Sequence, residues 1–202
     1  LISYTFTKKL TGNIRYAFIS SLILATSFFI VFSGRNGQWD IFTHGFMMAA
    51  IYQFYLFFST PEKKYQRMLL AALFFGCSFM SKGPVSLYAL LLPFLIAYGF
   101  VFKFKKGTKS VLPLLLFFIV SLLLSGWWHI YTYLLDPQQV IATTTKETTN
   151  WTSYNVRPFY YYWSFFIQSG IWCIPAFIAL LYPYLKDKVF FKQGYQFTLM
   201  WT

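Results

Sequence analysis

The sequence predicts an all-α fold, a polytopic bundle of transmembrane helices with about six full spans and the start of a seventh. Three observations carry this. The first is composition: of 202 residues, 57% are hydrophobic and 24% aromatic, while only 11% are charged. A soluble domain carries about 25% charged residues, so this chain cannot clothe a water-facing surface. Its hydrophobicity is also the opposite of a disordered segment. The second is the length of the apolar runs, several of which reach the 17–25 residues or so that a spanning helix needs. None alternates as an outer-membrane strand does, so helices are predicted rather than a barrel. The third is charge: 17 Lys and Arg against 5 Asp and Glu give a formal +12, and the basic residues are unevenly spread. A nucleic-acid binder can be this basic but not this apolar, so no nucleic-acid partner is expected.

Taken in order, the polar breaks mark spans at residues 16–33, 41–59, 68–81, 85–102, 111–135 and 159–184. Residues 195–202 begin another. The run at 68–81 is short and must borrow from its flanks or cross obliquely. Pro93, Pro113 and Pro175 fall near or inside spans, where proline kinks a helix rather than forbidding it. The domain expected is thus one transmembrane unit over residues 1–202.

Alternating sides gather Lys8, Lys9, Arg15, Lys63, Lys64, Arg67, Lys103, Lys105, Lys106, Lys109, Lys186, Lys188 and Lys192 together, 13 of the 17 basic residues. The other side receives Arg35, Lys82, Lys146 and Arg157. The positive-inside rule predicts that the N-terminus and the basic connectors are cytoplasmic. Because the chain starts at Leu1 rather than Met and stops inside an apolar run, it is expected to be an internal piece of a larger membrane protein.

Cys77 and Cys173 both fall in predicted spans and read as small apolar core residues, with no metal-ligand spacing and no disulfide expected. No Walker loop, GxGxxG, CxxC, HExxH or GxSxG occurs, which disfavours a soluble-type nucleotide enzyme.

The chemistry-bearing groups are therefore sought on the outer side. Asp40 precedes an apolar helix, and His44 lies four residues on along the same helical face. Such a pair can share a proton or bind a metal, while Asp40 also suits an N-cap. Ser81-Lys82-Gly83-Pro84 reads as a tight corner between two helices. Within it Lys82 is a costly ion at membrane level, either snorkelling to the interface or meeting an anion. The longest outer segment, 136–158, contains Lys146, Glu147 and Arg157 and is read as a loop. Its aromatic flanks, Trp127-Trp128-His129 and Phe159-Tyr160-Tyr161-Tyr162-Trp163, suit an interfacial belt or a carbohydrate cleft. Asn150-Trp151-Thr152 has the form of a glycosylation sequon and carries little weight.

The order of these pieces resembles a known family. An Arg…Asp loop enters a span, a later span ends in Ser81-Lys82-Gly83-Pro84, and Trp127-Trp128 precedes a Glu…Arg-Pro segment running into Phe-Tyr-Tyr-Tyr-Trp. This is similar to bacterial membrane glycosyltransferases of the GT-C class, related to protein O-mannosyltransferases and lipid A aminoarabinose transferases. The resemblance extends over most of the chain but rests on about a dozen positions. It implies transfer of a sugar from a polyprenyl-phosphate donor to a protein, lipid or glycan acceptor, at the outer face of the bacterial inner membrane. Lys82 would then match the basic residue near the donor phosphate, with Arg157 a second candidate. Asp40 would match the acidic residue opening its span, and Glu147 an acidic position where some relatives bind a divalent metal. Thr148 and Thr149 stand where some of those relatives have His or Arg, so the pattern departs there. The family's principal catalytic carboxylate is expected upstream of Leu1, which leaves Asp40 as the catalytic candidate within this chain. No other cofactor is implied.

Two other classes fit parts of the pattern. A transporter or flippase for a lipid-linked or anionic substrate could use Lys82, Asp40 and Arg157 as contacts. Transporters place polar groups near the midplane and often carry inverted repeats, whereas these groups gather at one face and no repeat is visible. A membrane scaffold would use the outer Lys and Arg only as anchors.

Overall fold

The computed structural model describes residues 1–103, 111–152, 160, 170–175 and 177–178. Among the described residues every regular element is a helix. The chain opens with α1 (Ile2–Thr11) and α2 (Ile14–Thr26), an antiparallel pair turned at Gly12, whose φ of 69° lies in the left-handed region open to glycine. Asn13 caps α2 by accepting a 2.8 Å bond from the Arg15 amide. The apolar runs of the sequence predict no helix at α1. It forms because Phe6 buries itself between Tyr52 and Tyr55 of a later helix, anchoring a segment that ends in Lys8 and Lys9.

The span expected at 16–33 is broken. α2 ends at Thr26, Ser27 is extended, and α3 (Phe28–Arg35) leaves at 53°. The Thr26 and Ser27 hydroxyls donate to the Leu22 and Leu24 carbonyls, adjacent side-chain bonds that compete with the helix ladder.

α4 (Trp39–Ser59) and α5 (Lys64–Lys82) form the central antiparallel pair. α5 reaches 19 residues by taking in the polar flank Lys64-Tyr65-Gln66-Arg67. At the α4–α5 turn Arg67 donates to the Leu56 and Thr60 carbonyls at 2.6 and 3.0 Å, satisfying the end of α4. α6 begins with a π-helical turn, Leu87–Leu91, and continues as an α-helix over Leu92–Phe102. The widened turn, with the Leu92 amide reaching Leu87, sits directly before Pro93, which has no N–H to continue the ladder.

α7 (Val111–Leu135) is one helix of 25 residues, as its apolar run predicts. It packs on α5 through a core that includes Phe54, Phe75 and Phe117. Phe54 and Phe117 meet edge-on at 4.8 Å. Gly76 makes the close approach possible, since a Cβ there would lie 2.8 Å from Leu124 Cβ.

The expected loop over 136–158 is instead helical through most of its described part, as α8 (Pro137–Thr152). Asp136 caps it, its Oδ1 accepting from the Gln139 amide at 3.0 Å, and Pro137 occupies the first helical position.

The expected six spans and start of a seventh are not confirmed among the described residues. Among the described residues two helices, Trp39–Ser59 and Val111–Leu135, are long and apolar enough to cross a membrane, or three with the bent pair. α5 is long enough but too polar, and Leu87–Phe102 is apolar but short. Of the spans expected at 159–184 and 195–202, only a few residues of the first, including a 3₁₀ turn at Gly170–Trp172, lie among the described residues. Cys173 is buried as expected, whereas Cys77 is exposed, falling between buried Gly76 and Ser78 on the outward flank of α5.

Candidate active site

The end of the bundle that carries Lys82 is built around a buried polar clamp. Ser78 on α5 donates to the Thr43 carbonyl of α4 at 2.8 Å, and its hydroxyl also meets that of Ser86, after the corner, at 2.7 Å. All three residues are buried. Buried hydroxyls are tolerable only when paired, so the clamp fixes α4, α5 and the start of the α6 segment relative to one another. Gly83 then turns the chain sharply, with φ 68° and ψ −150°, and its amide bonds the Phe79 carbonyl at 2.6 Å.

This clamp brings together two residues 42 positions apart. Lys82 Nζ forms an ion pair with Asp40 Oδ1, joining the last turn of α5 to the first turn of α4. Each charge is where a helix dipole favours it, the carboxylate at an N-terminus and the ammonium at a C-terminus. Of the two readings open for Asp40, the N-cap is not the one the structure shows. Gln38 holds that position, with its amide on the Ser33 carbonyl and its side chain accepting from the Ser33 hydroxyl at 3.0 Å. The pair remains accessible, with Lys82 42% and Asp40 25% exposed, so an incoming anion can reach the ammonium. His44, half-buried one turn along α4, lies within the electrostatic field of both.

Lys82 also lines a cleft of about 820 Å³ that the sequence did not reveal. One wall is Lys82-Gly83-Pro84; the floor is His129 and Thr132 of α7; the other wall is Asp136 and, on α8, Gln139, Thr143 and Glu147. Its volume falls in the range of about 300–1,000 Å³ typical of small-ligand sites. Lys82 and Glu147 thus face one cavity, with Asp40 behind Lys82. His129 packs edge-on against Phe79 at 6.1 Å, which sets its ring beneath the corner. In the sequence His129 stands out only as part of an aromatic flank and Asp136 only as a segment boundary. The signal that was available is the Asp-Pro helix start, which announces α8 and so its face. Arg157, the second phosphate candidate, lies outside the described residues.

No three His, Cys, Asp or Glu side chains converge among the described residues. Among the described residues, no ligand set stands around Glu147 to hold a divalent metal.

Residues 1–129 match the family model described as dolichyl-phosphate-mannose-protein mannosyltransferase. The chain belongs to this family. Membership places it among the membrane glycosyltransferases of the GT-C class, as multi-pass membrane proteins. Among curated relatives, it is 26% identical over 209 residues to an uncharacterized protein of Aquifex aeolicus, covering 100% of this chain and 39% of that one. It is 24% identical over 201 residues to undecaprenyl phosphate-alpha-4-amino-4-deoxy-L-arabinose arabinosyl transferase 1 of Proteus mirabilis, covering 94% of this chain and 34% of the relative. The chain thus spans little more than a third of the length of these proteins. No solved structure matches it. The family match includes Asp40, His44, Lys82 and His129 and ends before α8.

Proposed function

We propose that this region forms the donor-phosphate end of an enzyme that transfers a sugar from a polyprenyl-phosphate carrier to an acceptor hydroxyl or amine at the outer face of the bacterial inner membrane. The observation that carries the reading is the accessible Lys82–Asp40 pair at the edge of the 820 Å³ cleft. In the transfer, the acceptor atom bonds to the anomeric carbon while the bond from that carbon to the phosphate oxygen breaks. The electron pair leaves with the carrier phosphate, and the acceptor's proton passes to a carboxylate. The phosphate gains charge as it departs, and a preorganised cation beside it stabilises that change. Lys82 is the cation. Asp40 is its positioning residue, holding the ammonium toward the corner until phosphate draws it away. The positive end of the helical segment after Pro84 adds to the same field.

A second cavity gives the carrier a path. An apolar cleft of about 1,220 Å³ runs from Thr60 and Lys64 past Leu91, Ile96 and Phe117 to Ser125, one turn short of His129. Such a cleft suits an isoprenoid chain whose phosphate reaches Lys82.

The test uses the full-length protein in membranes. Lys82→Ala is expected to insert and accumulate normally and to lose transfer from a polyprenyl-phosphate sugar donor. By analogy with removal of a single oxyanion donor, the loss should be roughly 10²–10³-fold in kcat. Transfer at the unaltered rate overturns the role of Lys82.

A further inference from the structure

The two walls of the 820 Å³ cleft offer opposite chemistry, and that asymmetry points to what lies between phosphate and acceptor. On the corner side Lys82 supplies positive charge, Gly83 has its amide committed to Phe79, and Pro84 has no N–H. On the α8 side, two of the three threonines that line the cleft, Thr143 and Thr148, are already spent as donors. Thr143 donates to the Gln139 carbonyl at 2.8 Å, and Thr132 beneath it donates to the Trp128 carbonyl at 2.9 Å. Their oxygens still present lone pairs, so they face the cleft as acceptors. Glu147 adds a carboxylate with no ion-pair partner among the described residues. Gln139, Thr143 and Glu147 fall four residues apart, one turn above another, so they form a single stripe along α8. The stripe covers about 12 Å of helix at 1.5 Å per residue, long enough for a monosaccharide and its approach.

We propose that this stripe is the subsite for the donor's glycosyl group, and that Glu147 is its specificity-determining residue. The group it takes is one that presents hydrogen-bond donors, either hydroxyls or an ammonium. The inference rests on the donor-phosphate reading of Lys82 and adds the part that reading leaves open, namely what recognises the sugar. The division agrees with the family match, which includes the Lys82 wall and stops before α8. A phosphate contact is common to every such donor, whereas the sugar varies. α8 is also well suited to variation, since among the described residues it is exposed over most of its length and its larger contacts are with α7. Its stripe can change without disturbing the core.

The experiment measures binding of three probes to the full-length protein in nanodiscs: sugar-free polyprenyl phosphate, the same lipid bearing a neutral hexose, and the same lipid bearing an amino sugar. The unaltered protein is expected to bind at least one glycosylated lipid more tightly than the sugar-free one. Glu147→Ala should reduce that preference roughly tenfold or more, the effect of removing a charged hydrogen-bond partner, with sugar-free lipid unaffected. Glu147→Gln keeps an acceptor without the charge. It should retain most of the hexose preference if hydroxyls are read, and lose the amino-sugar preference if an ammonium is. Glu147 is exposed, so neither variant threatens folding. Equal binding of all three lipids by the unaltered protein, or a sugar preference untouched in Glu147→Ala, overturns the subsite. Lys82→Ala separates the two ideas: sugar-free lipid bound undiminished by that variant removes the phosphate reading, independently of what Glu147 does.

Discussion

Gly76 is the position where a single methyl group would move the cleft. On α5 it lies six residues before Lys82, about 9 Å along the helix, and on its other side stands Leu124 of α7. A Cβ added at Gly76 would sit 2.8 Å from Leu124 Cβ and 3.2 Å from Leu124 Cδ1. The second contact can be relieved by turning a side chain; the first cannot, because both atoms are fixed to backbone. Reaching ordinary contact requires α5 and α7 to part by more than half an ångström, and overpacking of this kind costs about 1–3 kcal/mol. Against it stands the gain of roughly 0.5–1 kcal/mol from replacing a helical glycine with alanine. Gly76→Ala should therefore lower the apparent melting temperature of the purified full-length protein, read by intrinsic fluorescence. Gly45→Ala, on α4 with nothing within 4 Å of the new atom, should raise it or leave it unchanged. The second-site pattern is sharper. Leu124→Ala keeps the offending Cβ and should not rescue Gly76→Ala, whereas Leu124→Gly removes it and should recover part of the loss. Gly76→Ala as stable as Gly45→Ala, or rescued equally by Leu124→Ala, would refute the reasoning.

The buried clamp and the orientation of the bundle each yield a further expectation. Ser78→Ala leaves the Ser86 hydroxyl, 1% exposed, without its partner, and should cost about 1–3 kcal/mol in unfolding measurements. Removing both hydroxyls in Ser78→Ala/Ser86→Ala should cost less than the sum of the two single changes, and an additive result would contradict the pairing. For orientation, a cysteine placed at Gln139 in a cysteine-free background should react with a membrane-impermeant maleimide added to intact cells with a permeabilised outer membrane. One placed at Glu62, beside the Arg67-bound end of α4, should react only after lysis; the reverse pattern would invert the proposed topology.

What could be read from the sequence was whatever is encoded locally. α4 and α7 follow from unbroken apolar runs, and the Lys82 corner from Gly83 and Pro84. The break at Ser27 was hidden because Thr26 and Ser27 interrupt hydropathy only slightly, although their hydroxyls disrupt the ladder. α8 was read as a loop because its threonines are weak helix formers, yet Asp136 and Pro137 supply a start and four threonine hydroxyls bond back one turn. Asp40 and Lys82 could each be named as candidates, but their pairing depends on the α4–α5 packing and on Ser78 reaching Thr43. The facing of Lys82 and Glu147 depends on the angle at which α8 leaves α7, which no spacing encodes.

The weakness of the Asp40–Lys82 pair is what suits it to the proposed role. An exposed ion pair is worth about 0.2–1 kcal/mol, so it adds little to the stability of the bundle. Had it been buried, releasing Lys82 would leave an uncompensated charge at a cost of about 3–5 kcal/mol, and a phosphate would have to supply that before binding at all. At the accessibility seen here, water solvates Asp40 as Lys82 turns toward the ligand. The buried clamp beneath does the opposite work, fixing the backbone that carries both residues so that the ammonium changes partner without the helices moving. The rigidity lies in Ser78, Thr43 and Ser86, and the adaptability is confined to one four-carbon side chain. A donor phosphate arriving at the corner thus meets a cation already at hand and held only lightly.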